Sequence, residues 1–150
     1  MDPSIRVRPF EPQHLARIAA IEQASFGPDA WDLKLLAEYS RASPELFLIA
    51  SRGRRIAGYI ITVASAKSRS AELVSIAVDP QEQGRGIGAA LLDATLALLR
   101  LRHSKAWWLM VATTNETAIR FYERHGFART RLVKSYYGAR RDGWRMRMAV

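Results

Sequence analysis

The pattern of apolar and polar positions predicts a chain that alternates between strands and helices. Residues 4–10 (SIRVRPF) alternate with a period of two, which is typical of a strand. Residues 12–25 (PQHLARIAAIEQAS) and 30–41 (AWDLKLLAEYSR) repeat apolar side chains at helical spacing, and a proline stands near the start of the first helix. Residues 46–51 (LFLIAS) and 55–65 (RIAGYIITVAS) flank a glycine-containing turn and indicate a hairpin.

A strand, a helix and a second strand are predicted next. In residues 71–78 (AELVSIAV) a period of two places Glu72 and Ser75 on opposite faces of the strand. A broad apolar side predicts a helix over residues 86–102. Residues 105–113 (KAWWLMVAT) show no alternation, which predicts a strand buried on both faces.

The last segments predict a capped helix and a closing hairpin. Residues 115–127 (NETAIRFYERHGF) begin with the helix cap Asn115, and Gly126 falls just past the helix end. Residues 129–137 (RTRLVKSYY) and 144–150 (WRMRMAV) alternate again around a turn-rich GARRDG. The predicted order is βααβββαβαββ, an α+β fold with a mixed α/β sheet.

Composition and charge narrow the class of protein. The 150 residues carry 23 Lys and Arg against 14 Asp and Glu, a formal net charge of +9, and the whole excess lies after residue 99. Such an excess forms either a solvated basic face or a surface for a polyanion such as nucleic acid, the ribosome or a phosphate-bearing cofactor. The absence of cysteine excludes disulfides, thiolate zinc sites and a cysteine nucleophile.

The length and the apolar runs predict a single domain over residues 1–150. No apolar run is long enough to span a membrane, and residues 1–10 lack the layout of a signal peptide. We therefore expect a cytoplasmic protein without a membrane segment and without a bound metal.

A glycine-rich turn between the strand at 71–78 and the following helix indicates an anion site. Gly84, Gly86 and Gly88 lie where the backbone N–H groups of the helix start are unpaired. A Walker A loop is excluded because no Lys-Ser/Thr follows the glycines. A dinucleotide fingerprint is disfavoured, since no acidic residue follows at the expected distance and no second βαβ unit is present. A turn that holds nothing is the remaining alternative.

The run from Gln83 to Gly88 matches Gln/Arg-x-x-Gly-x-Gly/Ala and resembles the acetyl-coenzyme A signature of the GNAT superfamily of N-acetyltransferases. The segments SIAVDP, NETAIRFYERHGF and KSYYGARRDGWRMRM follow in that family's order, so the resemblance covers essentially the whole chain. Within the superfamily the chain is most similar to enzymes that acetylate protein N-termini, including the ribosomal-protein-alanine type.

The resemblance implies how acetyl-coenzyme A would be held. The backbone of the strand would pair with the pantetheine arm, the glycine loop would hold the pyrophosphate, and Asn115 would bond the pantetheine amide while also capping its helix. The cofactor-binding residues implied are Ile76, Ala77, Val78, Gln83, Gly84, Arg85, Gly86, Ile87, Gly88, Ala89, Asn115 and Tyr122.

The resemblance also implies catalytic roles. Tyr122 stands where the family's tyrosine donates to the departing thiolate, the alternative being a core aromatic residue. Ribosomal-alanine enzymes carry a glutamate where this chain has Met110, which cannot accept a proton. Glu72, eleven residues before Gln83, is the predicted general base, the alternative being a solvent-facing strand residue. The acceptor-binding residues implied are Phe26, Trp31, Tyr136 and Tyr137.

The predicted function is transfer of acetyl from acetyl-coenzyme A to a primary amine. The favoured acceptor is the α-amine of a protein or peptide N-terminus. An enzyme of this kind could also associate with the ribosome or a ribosomal protein. One alternative is acetylation of a small amine such as a polyamine or an aminoglycoside. The other is a catalytically weak module bound to the ribosome or to nucleic acid, which the basic last third of the chain and Trp107-Trp108 suggest. The oligomeric state, monomer or homodimer, is left open.

Overall fold

A computed structural model describes residues 4–150, which fold in the predicted order βααβββαβαββ. The first three residues, part of the segment tested for a signal peptide, lie outside this range. The strands are β1 (Ile5–Pro9), β2 (Phe47–Arg52), β3 (Arg55–Ala64), β4 (Ser70–Val78), β5 (Ala106–Ala112), β6 (Ala128–Val133) and β7 (Gly143–Ala149). The helices are α1 (Leu15–Phe26), α2 (Leu33–Ala42), α3 (Ile87–Leu101) and α4 (Glu116–Arg124). No helix among the described residues is long and apolar enough to cross a membrane.

The seven strands form one mixed sheet in the order β1-β2-β3-β4-β5-β7-β6. All neighbours are antiparallel except β4 and β5, which run parallel. Parallel neighbours need a crossover connection, and α3 supplies it. The closing hairpin adds its second strand, β7, directly beside β5, which leaves β6 at the edge of the sheet.

The helices cover the two faces of the sheet with separate hydrophobic clusters. On the first face, α3 and α4 pack over a cluster that includes Leu91, Trp107 and Tyr122. On the second face, α1 and α2 pack on β3, and α1 also on β4, through a cluster that includes Ile18 and Leu36. The first face buries the apolar side of α3 that the sequence pattern predicts.

The second face is less completely covered over β5 and β7, which corrects one prediction. Trp107, Leu109 and Val111 of β5 are buried on the first face, as expected for a central strand. Trp108 and Met110 point to the second face and are only half-buried. Burial on both faces was therefore wrong for β5, because among the described residues α1 and α2 pack mainly on β3 and β4.

A β-bulge in β4 corrects a second prediction. Ile61 of β3 pairs with Ser75 and the next residue, Thr62, pairs with Leu73, so Val74 is an extra residue in β4. A bulge reverses the side-chain alternation beyond it. Glu72 and Ser75 therefore lie on the same face of the sheet, the second one, although strict alternation separates them.

Candidate active site

β4 and β5 separate after a short parallel contact, and this opening is the centre of the candidate site. Only three residue pairs join the two strands, and the last of them is Glu72 with Trp108. Beyond that pair, residues 73–78 of β4, apart from the bulged Val74, keep β3 as a partner on one side and have no β5 partner on the other. Backbone N–H and C=O groups need hydrogen-bond partners, so this edge is suited to an extended ligand. It includes Ile76, Ala77 and Val78, the predicted partners of a pantetheine arm.

The glycine loop leads from this open edge to the start of α3. Gly84 and Gly86 have φ values of +80° and +83°, a left-handed conformation that favours glycine. Gly86 is the N-cap of α3, and a Cβ atom at either glycine would project into open space. The first helical hydrogen bond runs from Ala90 N–H to the Gly86 carbonyl. The N–H groups of residues 87–89 are consequently free of helical bonds, as an anion-binding helix start requires.

The third glycine of the motif has a different structural reason. A Cβ atom on Gly88 would lie 3.0 Å from the ring of Phe121 on α4. Gly88 therefore permits the close approach of α3 and α4, besides belonging to the predicted phosphate loop. Asn115 caps α4 by accepting a hydrogen bond from the Ala118 N–H at 3.2 Å.

Ion pairs of Asp79 fix the start of the glycine loop. Asp79, directly after β4, is buried and accepts hydrogen bonds from the Gln81 N–H at 3.0 Å, from Arg17 at 2.5 Å and from Arg55 at 3.1 Å. The Gln81 N–H and the Arg17 guanidinium lower the pKa of Asp79 to about 2. The loop thus begins at a carboxylate that stays ionised throughout the physiological range.

A second carboxylate holds the rest of the loop. Glu82 is paired with Arg52 at 2.7 Å and with Arg85 at 3.2 Å. The hydrogen bond from Arg52 lowers the pKa of Glu82. Arg85, a predicted cofactor-binding residue, is thereby turned toward the loop itself, and Gln83 is exposed beside it.

Glu72 lies at the vertex where β4 and β5 separate, on the second face. It is half-buried, and this burial raises the pKa of its carboxyl, while Arg145 of β7 acts in the opposite direction. Tyr39 of α2 and Tyr136 lie close enough to sense its charge, since burial and then Glu72 raise the pKa of each hydroxyl. A partly desolvated carboxylate surrounded by hydroxyl groups can accept a proton near neutral pH.

Tyr122 lies on the other side of the opening. It is a buried residue of α4 in the cluster on the first face. Burial, and then the neighbouring Tyr137, raise the pKa of its hydroxyl, which therefore stays protonated at neutral pH. Burial raises the pKa of Tyr137 to about 12, with Tyr136 and Glu72 adding to the shift. Tyr137 thus connects electrostatically with both predicted catalytic residues, one from each face of the sheet.

The predicted acceptor-binding residues are brought together with one exception. Trp31 stacks on Tyr39 with ring centroids 4.8 Å apart, and Tyr136 and Tyr137 meet edge to face at 4.9 Å. Both tyrosines lie in the β6–β7 connection, because β6 ends at Val133 and not, as the alternation predicts, at residue 137. Phe26 ends α1 with 38% of its surface exposed and has no ring contact with this group among the described residues.

An ion pair joins the two connections that border this aromatic group. Arg141 of the β6–β7 connection lies 3.1 Å from Asp29, which follows α1. Both side chains are more than half exposed. The pair therefore ties the β6–β7 connection to the segment that follows α1.

The sequence reasoning missed a buried carboxylate behind the site. Glu22 of α1 is 2% exposed and accepts hydrogen bonds from the Tyr59 hydroxyl, from the Trp31 N–H at 3.1 Å and from the Ser75 hydroxyl at 3.4 Å. Its position within the apolar stripe of α1 was the available signal, because an acid on a buried stripe needs a polar partner. The sequence reasoning also missed Tyr39, and the available signal was its position one helical turn after the buried Leu36.

A match to a known protein family covers most of the chain. The sequence model described as "Acetyltransferase (GNAT) family" matches residues 14–127. The chain belongs to this family. The resemblance inferred from the motifs is confirmed, and with it acetyl-coenzyme A as the donor that the family uses.

Curated relatives include enzymes with different acceptors. The mycothiol acetyltransferase of Acidimicrobium ferrooxidans is 40% identical over 103 residues, 65% of this chain and 33% of that protein. The one of Thermobispora bispora is 33% identical over 138 residues, 83% of this chain and 47% of that protein. The [ribosomal protein bS18]-alanine N-acetyltransferase of Escherichia coli is 40% identical over 67 residues, 45% of each chain. The chain thus spans a third to about half of the length of these relatives.

Solved structures match over nearly the full length and confirm the mixed α/β fold. Ard1 from Thermoplasma volcanium has a TM-score of 0.92 at 28% identity, covering 98% of both chains. The ribosomal-protein-S18-alanine N-acetyltransferase from Escherichia coli has a TM-score of 0.86 at 28% identity, covering 97% of this chain and 94% of that one. Chaetomium thermophilum Naa20, solved with a bisubstrate analogue, has a TM-score of 0.85 at 26% identity, covering 97% and 86%.

Proposed function

We propose that the protein is an N-acetyltransferase that transfers acetyl from acetyl-coenzyme A to the α-amine of a protein or peptide N-terminus. The observation that carries this proposal is the opening between β4 and β5, which has Glu72 at its vertex and Tyr122 on the opposite side. The likeness to N-terminal acetyltransferases along almost the full chain supports it. By the same likeness a ribosomal protein in the cytoplasm is one candidate acceptor.

The residues present fit acetyl-coenzyme A, which supplies an activated thioester when bound. The unpaired edge of β4 at 76–78 suits a pantetheine arm, which offers amide groups in an extended chain. The free N–H groups at the start of α3 suit the pyrophosphate. In this proposal Asn115, which caps α4, also binds an amide of the arm.

In this proposal Glu72 removes the proton from the acceptor ammonium. Burial raises the pKa of Glu72 above its ordinary value, which makes the carboxylate a better proton acceptor at neutral pH. Met110 lies on the same face one strand away, so a glutamate at position 110 would border the same cleft. Glu72 can therefore take over the task that this position has in ribosomal-alanine enzymes.

Tyr122 donates the proton that the departing thiolate needs. Its buried hydroxyl is held protonated by the raised pKa, and α4 carries it to the side of the opening opposite Glu72. The acid and the base thus act from different faces of the sheet. Trp31, Tyr136 and Tyr137 border the acceptor cleft and would orient the peptide main chain.

A second candidate function is the acetylation of a small amine, which the likeness to mycothiol acetyltransferases suggests. The observation in its favour is the 33–40% identity to two of those enzymes. The same base, acid and cofactor loop would serve, and only the acceptor cleft would differ in use.

One assay separates the candidates. The protein is incubated with acetyl-coenzyme A and three acceptors: peptides with a free N-terminus, the same peptides with a blocked N-terminus and an internal lysine, and small amines including the mycothiol precursor. Thiol release is followed, and the mass of each product locates the acetyl group. Acetylation confined to free N-termini supports the proposal, and acetylation of only the small amines refutes it.

A further inference from the structure

The second face of the sheet carries a row of arginines next to the candidate site. Trp108, Arg147 and Ala128 pair across β5, β7 and β6, and in the neighbouring row Arg145 pairs with Arg131. Paired residues share a face, so these side chains lie on the same side as Glu72, which pairs with Trp108. We call Trp108, Arg131, Arg145 and Arg147 the arginine face.

The arginine face is accessible, and its acidic neighbour is Glu72, whose pKa is raised by burial and lowered in part by the charge of Arg145. Arg131 and Arg147 are exposed, and Arg145 and Trp108 are half-buried. The strands β5, β6 and β7 contain four arginines and no acidic residue. The fourth, Arg129, points to the first face, where it lies over Trp144 and 3.8 Å from Glu123. Among residues 4–150 no carboxylate lies within ion-pair distance of the other three.

Contact with the Trp108 ring orients Arg145 to bind a carboxylate. The Arg145 guanidinium lies 4.7 Å from the centre of the Trp108 ring. A guanidinium stacked on an aromatic ring is held in one orientation and keeps donors in its plane for a bidentate partner. Opposite charge at such a site is favoured, and a lysine brought to it is repelled.

We propose that the arginine face binds acidic side chains of the acceptor polypeptide just downstream of the N-terminus that is acetylated. The inference rests on the proposed function, because it places the acceptor amine at Glu72. Neighbouring strands are about 4.8 Å apart, so β7 lies roughly 10 Å and β6 roughly 14 Å from β4. An extended peptide covers about 3.3 Å per residue. Its third to sixth residues therefore pass over the arginine face when its amine is at Glu72.

An acidic polypeptide fits better than a nucleic acid. The face is only three strands wide, and Glu72 at its border repels a continuous chain of phosphates. A peptide instead brings a cationic ammonium to Glu72 and carboxylates to the arginines, which matches the charge at both ends.

The test compares peptides with one N-terminal dipeptide and either four glutamates, four serines or four lysines at the third to sixth positions. For the parent protein we expect kcat/KM to be at least about 10-fold higher for the acidic than for the basic peptide at low salt, mainly through KM. The preference shrinks at about 300 mM salt because exposed charges are screened. Equal KM values for the three peptides overturn the inference while leaving the proposed function intact, whereas no acetylation of any peptide refutes both.

Charge reversal locates the effect. Arg131→Glu combined with Arg147→Glu should reverse the preference toward the basic peptide, and the corresponding double alanine variant should abolish it. Arg100→Glu, the same change at an exposed site on α3 across the sheet, should keep the parental preference. Unchanged preference in the double variants, accompanied by loss of binding to a labelled RNA or by a changed sedimentation coefficient, would mean that the face serves nucleic acid or a second copy, and the inference is then wrong.

Discussion

Replacement of Asp79 by asparagine should reveal how strongly the cofactor loop is tied to the rest of the molecule. Bonds from the Gln81 N–H and from Arg17 lower the pKa of Asp79 from 3.8 to about 2. The carboxylate is buried, with 9% of its side chain exposed, so solvent does little to weaken these bonds. Each unit of pKa corresponds to about 1.4 kcal/mol, so the ionised form contributes about 2 kcal/mol to the free energy of unfolding.

The sign of the pH dependence follows from the lowered pKa. A group with a lower pKa in the folded state stabilises fully above its unfolded pKa, and this contribution is lost as the pH falls through the folded value. At pH 7 the free energy of unfolding of Asp79→Asn should therefore be about 2 kcal/mol lower than that of the parent. The difference from the parent should fall to about half near pH 3, to about a sixth near pH 2, and vanish only near pH 1.

Urea unfolding followed by circular dichroism, repeated across this pH range, measures the difference. Asp93→Asn is a suitable control, because Asp93 is an exposed carboxylate on α3. It should change the free energy of unfolding by less than about 0.5 kcal/mol at any pH. A loss for Asp79→Asn that is the same at pH 7 and near pH 3 would refute the electrostatic reasoning and point to packing instead.

Three further predictions concern the reaction. Glu72→Gln should lower the turnover number about 10²-fold or more near neutral pH, and the rate should recover at high pH. The acidic limb of the parent's pH–rate profile, set by a pKa above the usual 4.5, should disappear in the variant. A neutral-pH rate within about twofold of the parent would exclude Glu72 as the base. Tyr122→Phe should keep acetyl-coenzyme A affinity in calorimetry and slow turnover about 10²-fold, and an unchanged turnover number would make Tyr122 a packing residue. Gly86→Val should weaken acetyl-coenzyme A binding at least about tenfold, because valine disfavours φ of +83° and would fill the open space of the loop; equal affinity in a variant that melts like the parent would contradict this.

The order of elements was predictable because each one has a strong local signal. Helix α3 has a broad apolar stripe, α4 has its cap Asn115 and terminal Gly126, and β2 and β3 flank a short turn. The positive φ values of Gly84 and Gly86 likewise fit what the glycine spacing indicates. These features depend on residues close together in the chain.

What the sequence could not provide depends on contacts between distant segments. The bulge at Val74 is set by the register of β4 against β3, and it decides that Ser75 faces Glu22. The half-buried second face of β5 follows from the packing of α1 and α2 on β3 and β4, which no pattern within β5 records. The arrangement of Tyr39 and Arg145 around Glu72 likewise requires the sheet order β4-β5-β7 and the position of α2 above it.

The hydrogen bonds of Glu22 link the segment around Trp31 to strand β4. One carboxylate holds both the Trp31 N–H, which borders the acceptor cleft, and the hydroxyl of Ser75, which lies at the bulge beside the open edge of β4. A ligand that extends β4 fixes the position of Ser75, and through Glu22 it fixes the segment around Trp31. If the proposed function holds, we therefore expect sequential kinetics with acetyl-coenzyme A binding before the acceptor.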